Sequence, residues 1–223
     1  MYNYFISEDH FVVEIDGYKL VLDTGGQSGL FGKRATIYID GNPYEFGLTT
    51  ADYKKTFECV KCDIDGFIGG DKLSQMSLTI TKENETKGTI DFCAINIAGN
   101  RIPLERMDYH IFTHGVLDGN RCKICIDTGA MYGYGKKSLL EKYIPTKINQ
   151  YDYNPNPLLD VFYSNVYENM NIELKGIKYN MTMGYSNKVE KWCLKGVDII
   201  GSCIHMFNNI CVIDYTNNVM ILD

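Results

Sequence analysis

The tripeptide Asp-Thr-Gly occurs twice in the 223-residue chain, as Asp23–Gly25 and as Asp127–Gly129. An apolar run precedes each copy, Leu20–Leu22 in the first and Ile124–Ile126 in the second. Two aspartates about 3 Å apart cannot both ionise, so they share one proton. The ionised carboxylate of such a pair can take a proton from water, while the protonated carboxyl donates one to the group that the water attacks. Asp23 and Asp127 are therefore a candidate acid–base pair.

The two copies belong to an internal repeat of matched blocks in the same order. A hairpin pattern with an Asp-Gly turn precedes each Asp-Thr-Gly, and a second hairpin pattern with a glycine turn follows it. An apolar segment that ends in glycine and a closing hairpin come next. The blocks are residues 11–22, 37–46, 65–69 and 78–92 in the first half, and 116–126, 172–181, 198–201 and 210–222 in the second. This order predicts a duplicated β architecture.

The repeat predicts an all-β fold of two lobes, residues 1–94 and 110–223, joined by a connection over residues 95–109. Helix should be scarce. Short helices are expected from Asp71 to Met76, from Lys136 to Tyr143 and from Ser202 to Phe207.

The motifs resemble those of pepsin-like and retropepsin-like aspartic peptidases. In that family each half of the site has an apolar strand that ends in Asp-Thr-Gly, and a later apolar segment with glycine threads behind it. Asp65–Gly69 and Asp198–Gly201 match this second segment. The resemblance implies a bilobal pepsin-like fold and an endopeptidase that hydrolyses peptide bonds with a water activated between Asp23 and Asp127. A polypeptide would bind in the interlobe cleft.

The resemblance also implies roles for the other motif residues. The hydroxyls of Thr24 and Thr128 would bond across to the opposite strand and brace the two loops. Gly25 and Gly129 would let backbone N–H groups approach the carboxylates. Because one chain supplies both aspartates, we expect a monomer. The implied hydrolysis uses only the two carboxyls and water, so we expect no metal and no cofactor.

Two other interpretations stay open. An Asp-Thr-Gly after a strand is also an ordinary turn at the end of a hairpin, although its recurrence within a repeat favours the paired site. A protein of the same fold could also be catalytically silent and bind an extended peptide in the cleft by strand addition.

The two halves differ most after the second Asp-Thr-Gly. Asp23 and the turn glycine Gly41 are 18 positions apart, whereas Asp127 and Gly176 are 49 apart. Pepsins carry their flap hairpin in the first half, where this chain has no room for it. The long insert of the second half, about residues 131–167, either covers the cleft from the other side or is a surface loop packed on its own lobe. Its aromatic residues are Tyr151, Tyr153, Phe162, Tyr163 and Tyr167.

Composition argues against several other classes of function. A net charge of −6 and the lack of a basic run argue against nucleic acid and against an anionic membrane surface. The apolar stretches are too short to span a bilayer. The amino terminus lacks the pattern of a secretory signal and leaves no room for an inhibitory propeptide before Asp23, so we expect a cytoplasmic protein with free thiols.

Two Cys-x-x-Cys pairs, Cys59–Cys62 and Cys122–Cys125, suggest structural zinc. Their separation does not fit a zinc ribbon, and residues three apart on a strand point to opposite faces. We therefore expect no metal. The histidines form no marked Cys–His pair; they are His10, His110, His114 and His205, the last within a predicted helix.

The residue after each motif is Gly26 in the first copy and Ala130 in the second. Many pepsins have a hydroxyl residue there, which donates to a carboxylate and lowers the apparent pKa values of the pair. Retropepsins commonly have alanine. The missing hydroxyls predict a bell-shaped profile of kcat/KM with its optimum between about pH 5 and 7.

Overall fold

The computed structural model describes residues 1–156, 158–202 and 206–223. Strands make up 53% of the structure and helices 10%, which confirms the expected all-β class. The first half contains β1 (Tyr2–Ser7), β2 (His10–Ile15), β3 (Tyr18–Asp23), β4 (Gly29–Leu30), β5 (Ala35–Ile39), β6 (Asn42–Phe46), α1 (Tyr53–Val60), β7 (Gly66–Gly69), α2 (Gly70–Leu73), β8 (Leu78–Asn84) and β9 (Lys87–Asp91).

The second half continues with a comparable series of strands and two more short helices. They are β10 (Asn100–Pro103), β11 (Glu105–Met107), β12 (His110–Leu117), β13 (Asn120–Ile126), β14 (Gly133–Gly135), α3 (Lys137–Leu140), β15 (Lys147–Asn154), β16 (Asp160–Leu174), β17 (Ile177–Tyr185), α4 (Asn187–Trp192), β18 (Ile199–Gly201), β19 (Ile210–Asp214) and β20 (Val219–Leu222).

The strands form two large sheets and one separate hairpin. The larger sheet has the order β10-β20-β19-β8-β9-β1-β2-β3-β7-β4, and the second has the order β11-β12-β13-β18-β14-β17-β16-β15. The hairpin β5–β6 pairs with neither sheet in the described part of the chain. No helix among the described residues is both long and apolar enough to cross a membrane.

The hairpins predicted from Asp-Gly signals form as expected. Asp16 and Gly17 join β2 to β3 with φ of 50° and 76°, and Asp118 and Gly119 join β12 to β13 with φ of 47° and 80°. Positive φ at both turn positions is what a two-residue hairpin needs to match the twist of its strands. Each turn returns the chain along the strand that leads to an Asp-Thr-Gly.

One strand arrangement occurs in both halves. In the first, β3 pairs in parallel with β7, and β7 pairs antiparallel with β4. In the second, β13 pairs in parallel with β18, and β18 pairs antiparallel with β14. The segments 65–69 and 198–201 therefore lie beside the strands that carry the two aspartates, as the repeat predicts.

Matching carboxylates hold the start of these partner strands. The side chain of Asp65 accepts the N–H of Lys19 at 3.0 Å, and that of Asp198 accepts the N–H of Lys123 at 2.9 Å. The N–H of each aspartate donates in return to the carbonyl of the same lysine. The two parallel pairings thus begin at equivalent points.

The closing hairpin β19–β20 connects the two halves. It pairs through β19 with the first-half strand β8 and through β20 with β10, so it belongs to the larger sheet. Its inward side chains, including Ile213 and Leu222, are buried in the main core with Leu78 and Ile80. The predicted boundary had assigned residues 210–223 to the second lobe; the lobe limits themselves stay a prediction.

Helices are few, and the sequence located only some of them. The predicted helices 71–76 and 136–143 correspond to the shorter α2 and α3. The third, over 202–207, includes residues 203–205, which lie outside the described residues. Helices α1 and α4 were not predicted. Helix α1 begins after Asp52, whose carboxylate accepts the N–H of Lys55 at 2.9 Å.

Candidate active site

The two Asp-Thr-Gly loops meet face to face. A Cβ added to Gly129 would lie 2.5 Å from Oδ1 of Asp23, and one added to Gly25 would collide with the carboxyl of Asp127. Each motif glycine therefore lies against the aspartate of the opposite half. Only residues without a side chain allow the loops to approach this closely.

The two threonines form a reciprocal network that ties the loops together. The N–H of Thr24 donates to Oγ1 of Thr128 at 3.0 Å, and the N–H of Thr128 donates to Oγ1 of Thr24 at 3.0 Å. Each hydroxyl then donates to a carbonyl of the opposite strand, Thr24 to Ile126 at 3.0 Å and Thr128 to Leu22 at 2.9 Å. Both threonines are fully buried, so these four bonds satisfy groups that water does not reach.

Backbone N–H donors position the two carboxyls, and their contact with each other and their burial determine how readily they ionise. The N–H of Gly25 donates to Oδ1 of Asp23 at 3.1 Å, and the N–H of Gly129 donates to Oδ1 of Asp127 at 2.9 Å. The two carboxyls also hydrogen-bond to each other. Both aspartates are partly buried, and the loss of water around their carboxyls raises the pKa of each above the ordinary value of aspartate. The geometry suits a pair that holds one proton.

The pair lies in a cavity of about 890 Å³ that is lined by residues of both halves. Val21 shares a strand face with Asp23, two positions on, and Cys125 shares one with Asp127. Val21 belongs to an apolar cluster with Cys59, Val60 and Ile64, whereas Cys125 belongs to one with Phe112, Tyr134 and Phe162. Apolar surface thus flanks the carboxyls on both sides.

The second-half insert crosses to the first half. It forms the hairpin β15–β16, and the hydroxyl of Tyr153 accepts the N–H of Asp52 at 2.8 Å. Nζ of Lys55, on α1, is 2.6 Å from Oδ1 of Asp160. Tyr151 and Tyr153 pack against the first-half apolar cluster, and residues 153–156 line the cavity. The structure therefore favours the interpretation that the insert covers the cavity from the second half.

The insert is not uniform along its length. Phe162 is buried in a cluster of second-half residues, as the surface-loop interpretation expected, Tyr167 is buried in the main core, and Tyr163 is 59% exposed. The two interpretations therefore apply to different parts of the insert. The end near Tyr153 is the part that reaches across to the first half.

The sequence missed a third carboxyl in the same cavity. Asp152, on β15, is 5% exposed and accepts a hydrogen bond from the hydroxyl of Tyr134. The Sγ of Cys59 lies 3.7 Å from its other carboxyl oxygen. The only sequence signal was an acidic residue between two tyrosines in the insert, and an exposed loop would show the same pattern.

The remaining candidates are dispersed. Cys122 is buried in the main core while Cys125 faces the apolar cluster beside Asp127, so the two point to opposite sides of β13 as expected. His110 lines the cavity and stacks on Tyr109, with ring centroids 4.2 Å apart, and His114 bonds to Glu105 on the surface. Cys203 and His205 lie outside the described residues. The absence of metal stays a prediction.

The sequence matches no known family model and no curated protein.

Proposed function

We propose that this chain is an aspartic endopeptidase that hydrolyses peptide bonds with a water held between Asp23 and Asp127. The observation that carries the proposal is the placement of two half-buried carboxyls, one from each half, in hydrogen-bonding contact at the floor of a cavity. The reciprocal threonine bonds support it, because a turn that merely ended a hairpin would not need them.

The chemistry follows from one shared proton. The ionised carboxyl takes a proton from the water as the water oxygen attacks the scissile carbonyl carbon, and the protonated carboxyl donates to the carbonyl oxygen. As the tetrahedral intermediate collapses, the protonated carboxyl gives its proton to the leaving amine, one hydroxyl of the intermediate gives its proton to the ionised carboxyl, and the C–N bond breaks, which restores the shared proton. The N–H groups of Gly25 and Gly129 hold the carboxyls in place, which limits the reorganisation that the reaction requires.

The substrate would be an extended polypeptide. The cavity has apolar walls on both sides of the carboxyl pair, contributed by different halves of one chain. A monomer would therefore suffice for the site. A cytoplasmic location and the lack of nucleic-acid and membrane partners stay predictions from the sequence.

The test is hydrolysis of a diverse peptide mixture by the wild type and by Asp23→Asn and Asp127→Asn. Either substitution removes one titratable group and keeps the shape of the side chain, so we expect cleavage to fall at least about 1000-fold. Asp118→Asn is the matched control, because Asp118 lies in an exposed turn with φ of 47°, which asparagine tolerates. Mass spectrometry of the products measures the loss.

Two outcomes would contradict the proposal. A wild type that binds peptides but cleaves none over a range of pH supports the silent peptide-binding protein. Cleavage that survives both substitutions places the activity elsewhere.

A further inference from the structure

The Asp152 carboxyl lies in the wall of the cavity, held by donors from both halves. It accepts the hydroxyl of Tyr134 on one oxygen, and on the other the N–H of Tyr153 at 2.7 Å and the thiol of Cys59 at 3.7 Å. These contacts orient the carboxyl at the junction between the two apolar clusters, since Tyr134 belongs to one and Cys59 to the other.

This carboxyl pairs with no lysine or arginine among the described residues. None of the ion pairs between described residues involves Asp152. The imidazole of His10 lies near enough to lower the pKa of Asp152, but its Nδ1 is bonded to the carbonyl of Glu8 at 2.7 Å. Burial is the larger effect and raises the pKa of Asp152. A buried carboxylate without a cation is costly, and a bound cation would offset that cost.

Apart from His10, the basic side chains that line the cavity lie against aromatic rings. Arg106, Lys123 and Lys195 also line it, and their cationic groups lie over the rings of Tyr215, Phe112 and Trp192 respectively. These rings all belong to residues after position 110. The lining residues in contact with Asp152 are instead Cys59 and Tyr134, with the ring of His10 nearby, so a lysine or arginine side chain placed there would meet a carboxylate.

We propose that Asp152 is a specificity-determining residue that selects substrates with an arginine or lysine side chain in a subsite of the cavity that also holds the carboxyl pair. The inference rests on the proposed endopeptidase function and names its substrate class. An apolar side chain in this subsite would leave the carboxylate unpaired, whereas a guanidinium would pair with it in a site that water barely reaches.

A purely structural role for Asp152 makes a different prediction. If the carboxyl served only to hold β15 against Tyr134 and Cys59, its loss would weaken binding of every peptide alike. A selective role changes the ratio between charged and neutral peptides and leaves the neutral one unchanged.

The experiment compares two peptides that differ only in arginine against citrulline, which has the same shape without the charge. Binding is measured by calorimetry on the Asp127→Asn chain, and hydrolysis is measured on the wild type. We expect the arginine peptide to bind at least about 10-fold more tightly and to be cleaved with a correspondingly higher kcat/KM. Adding Asp152→Asn should bring the ratio close to one while the citrulline peptide keeps its affinity.

Asp160→Asn is the control within the same hairpin, because Asp160 pairs with Lys55 on the surface of the hairpin rather than lining the cavity. It should leave the arginine preference intact. Equal binding of the two peptides by chains with Asp152 present overturns the inference, and that result does not depend on how Asp152→Asn folds. Preference for arginine without any hydrolysis would support the subsite and overturn the endopeptidase; hydrolysis without preference would do the reverse.

Discussion

Gly129 lies where the two loops leave no room for a side chain. A Cβ there would lie 2.5 Å from the carboxyl of Asp23, and that carboxyl cannot shift without disturbing its bond to Asp127. We expect Gly129→Ala to lower kcat/KM about 100-fold and the free energy of unfolding by about 1–3 kcal/mol. Steady-state kinetics and urea unfolding measure the two effects. Gly47→Ala is the control, since a Cβ at Gly47 meets nothing within 4 Å.

Of Gly26 and Ala130, the residues that follow the two motifs, Ala130 is the better position for testing what sets the pKa values of the carboxyl pair. A side chain at Gly26 would collide with Oδ2 of Asp23, whereas Ala130 already carries a Cβ at the edge of the cavity. A hydroxyl at position 130 could donate to a carboxylate and favour its ionised form, which lowers the pKa that controls the acidic limb. We expect Ala130→Ser to move that limb downward by at most about one pH unit.

The shift expected for Ala130→Ser is measured against the pH dependence of kcat/KM of the wild type. Burial raises the pKa of both Asp23 and Asp127, and the active state needs one protonated and one ionised carboxyl, so the optimum should lie above the ordinary pKa of aspartate, between about pH 5 and 7. Measured kcat/KM across this range checks it. A wild type most active near pH 3, or a serine variant with both limbs unmoved, would refute this account of the tuning.

Polar contacts to α1 and apolar packing connect the hairpin β15–β16 to the first half. The bond from Asp52 to Tyr153 and the ion pair of Lys55 with Asp160 both join it to α1. Because that ion pair is exposed, its loss should change the free energy of unfolding little. The hydroxyl of Tyr153 should matter more than this ion pair, since it accepts the backbone N–H of Asp52 at the start of α1.

We expect Tyr153→Phe to free the hairpin locally without unfolding the protein. The phenyl ring keeps its packing against Val60 and Ile64, but the N–H of Asp52 loses its acceptor. Amide exchange at Asp52 should then accelerate while exchange in β13 stays unchanged. Tyr163→Phe is the control, because Tyr163 is 59% exposed. Equal acceleration in both variants would mean that the bond does not hold the hairpin.

Across the whole molecule, the buried carboxyls should make stability depend on pH. An aspartate whose pKa is raised by folding binds its proton more tightly in the folded state. Its stabilising contribution is complete below about pH 4, the unfolded pKa, and is lost as the pH rises through the folded pKa. Asp23, Asp127 and Asp152 all belong to this class. At neutral pH each of them is therefore expected to lower the free energy of unfolding, because its ionised form is less favourable in the folded cavity than in water.

We expect Asp127→Asn to raise Tm at pH 7.5 by about 2–4 °C, the effect of roughly 1 kcal/mol in a protein of this size. The gain should shrink as the pH falls and should vanish below about pH 4, the unfolded pKa, where the wild-type carboxyls become protonated in both states. Calorimetry at several pH values measures the difference, with Asp118→Asn as the exposed comparison. A difference that is constant with pH would rule out this linkage.

Local patterns were enough to predict the paired site. The alternation of apolar and polar residues, the Asp-Gly turns and the second Asp-Thr-Gly each involve only neighbouring positions of the sequence. The hairpins around Gly17 and Gly119 form as these local signals predict. Strand order follows where the repeat supplies a partner, as for β3 with β7. The roles of Thr24 and Thr128, expected from the family resemblance, agree with their observed bonds.

Only the tertiary structure showed which element each apolar face packs against and which strand each edge strand pairs with. An alternating hairpin shows which face is apolar but not which sheet it will join, so the pairing of β19 with β8 could not be read from residues 210–222. The same holds for Tyr151 and Tyr153 of the insert, which pack against the first-half cluster that includes Cys59 and Val60 of α1. Asp152 became a carboxyl enclosed by both halves only through this docking, because one of its hydrogen-bond donors, Cys59, lies more than ninety positions away in the sequence.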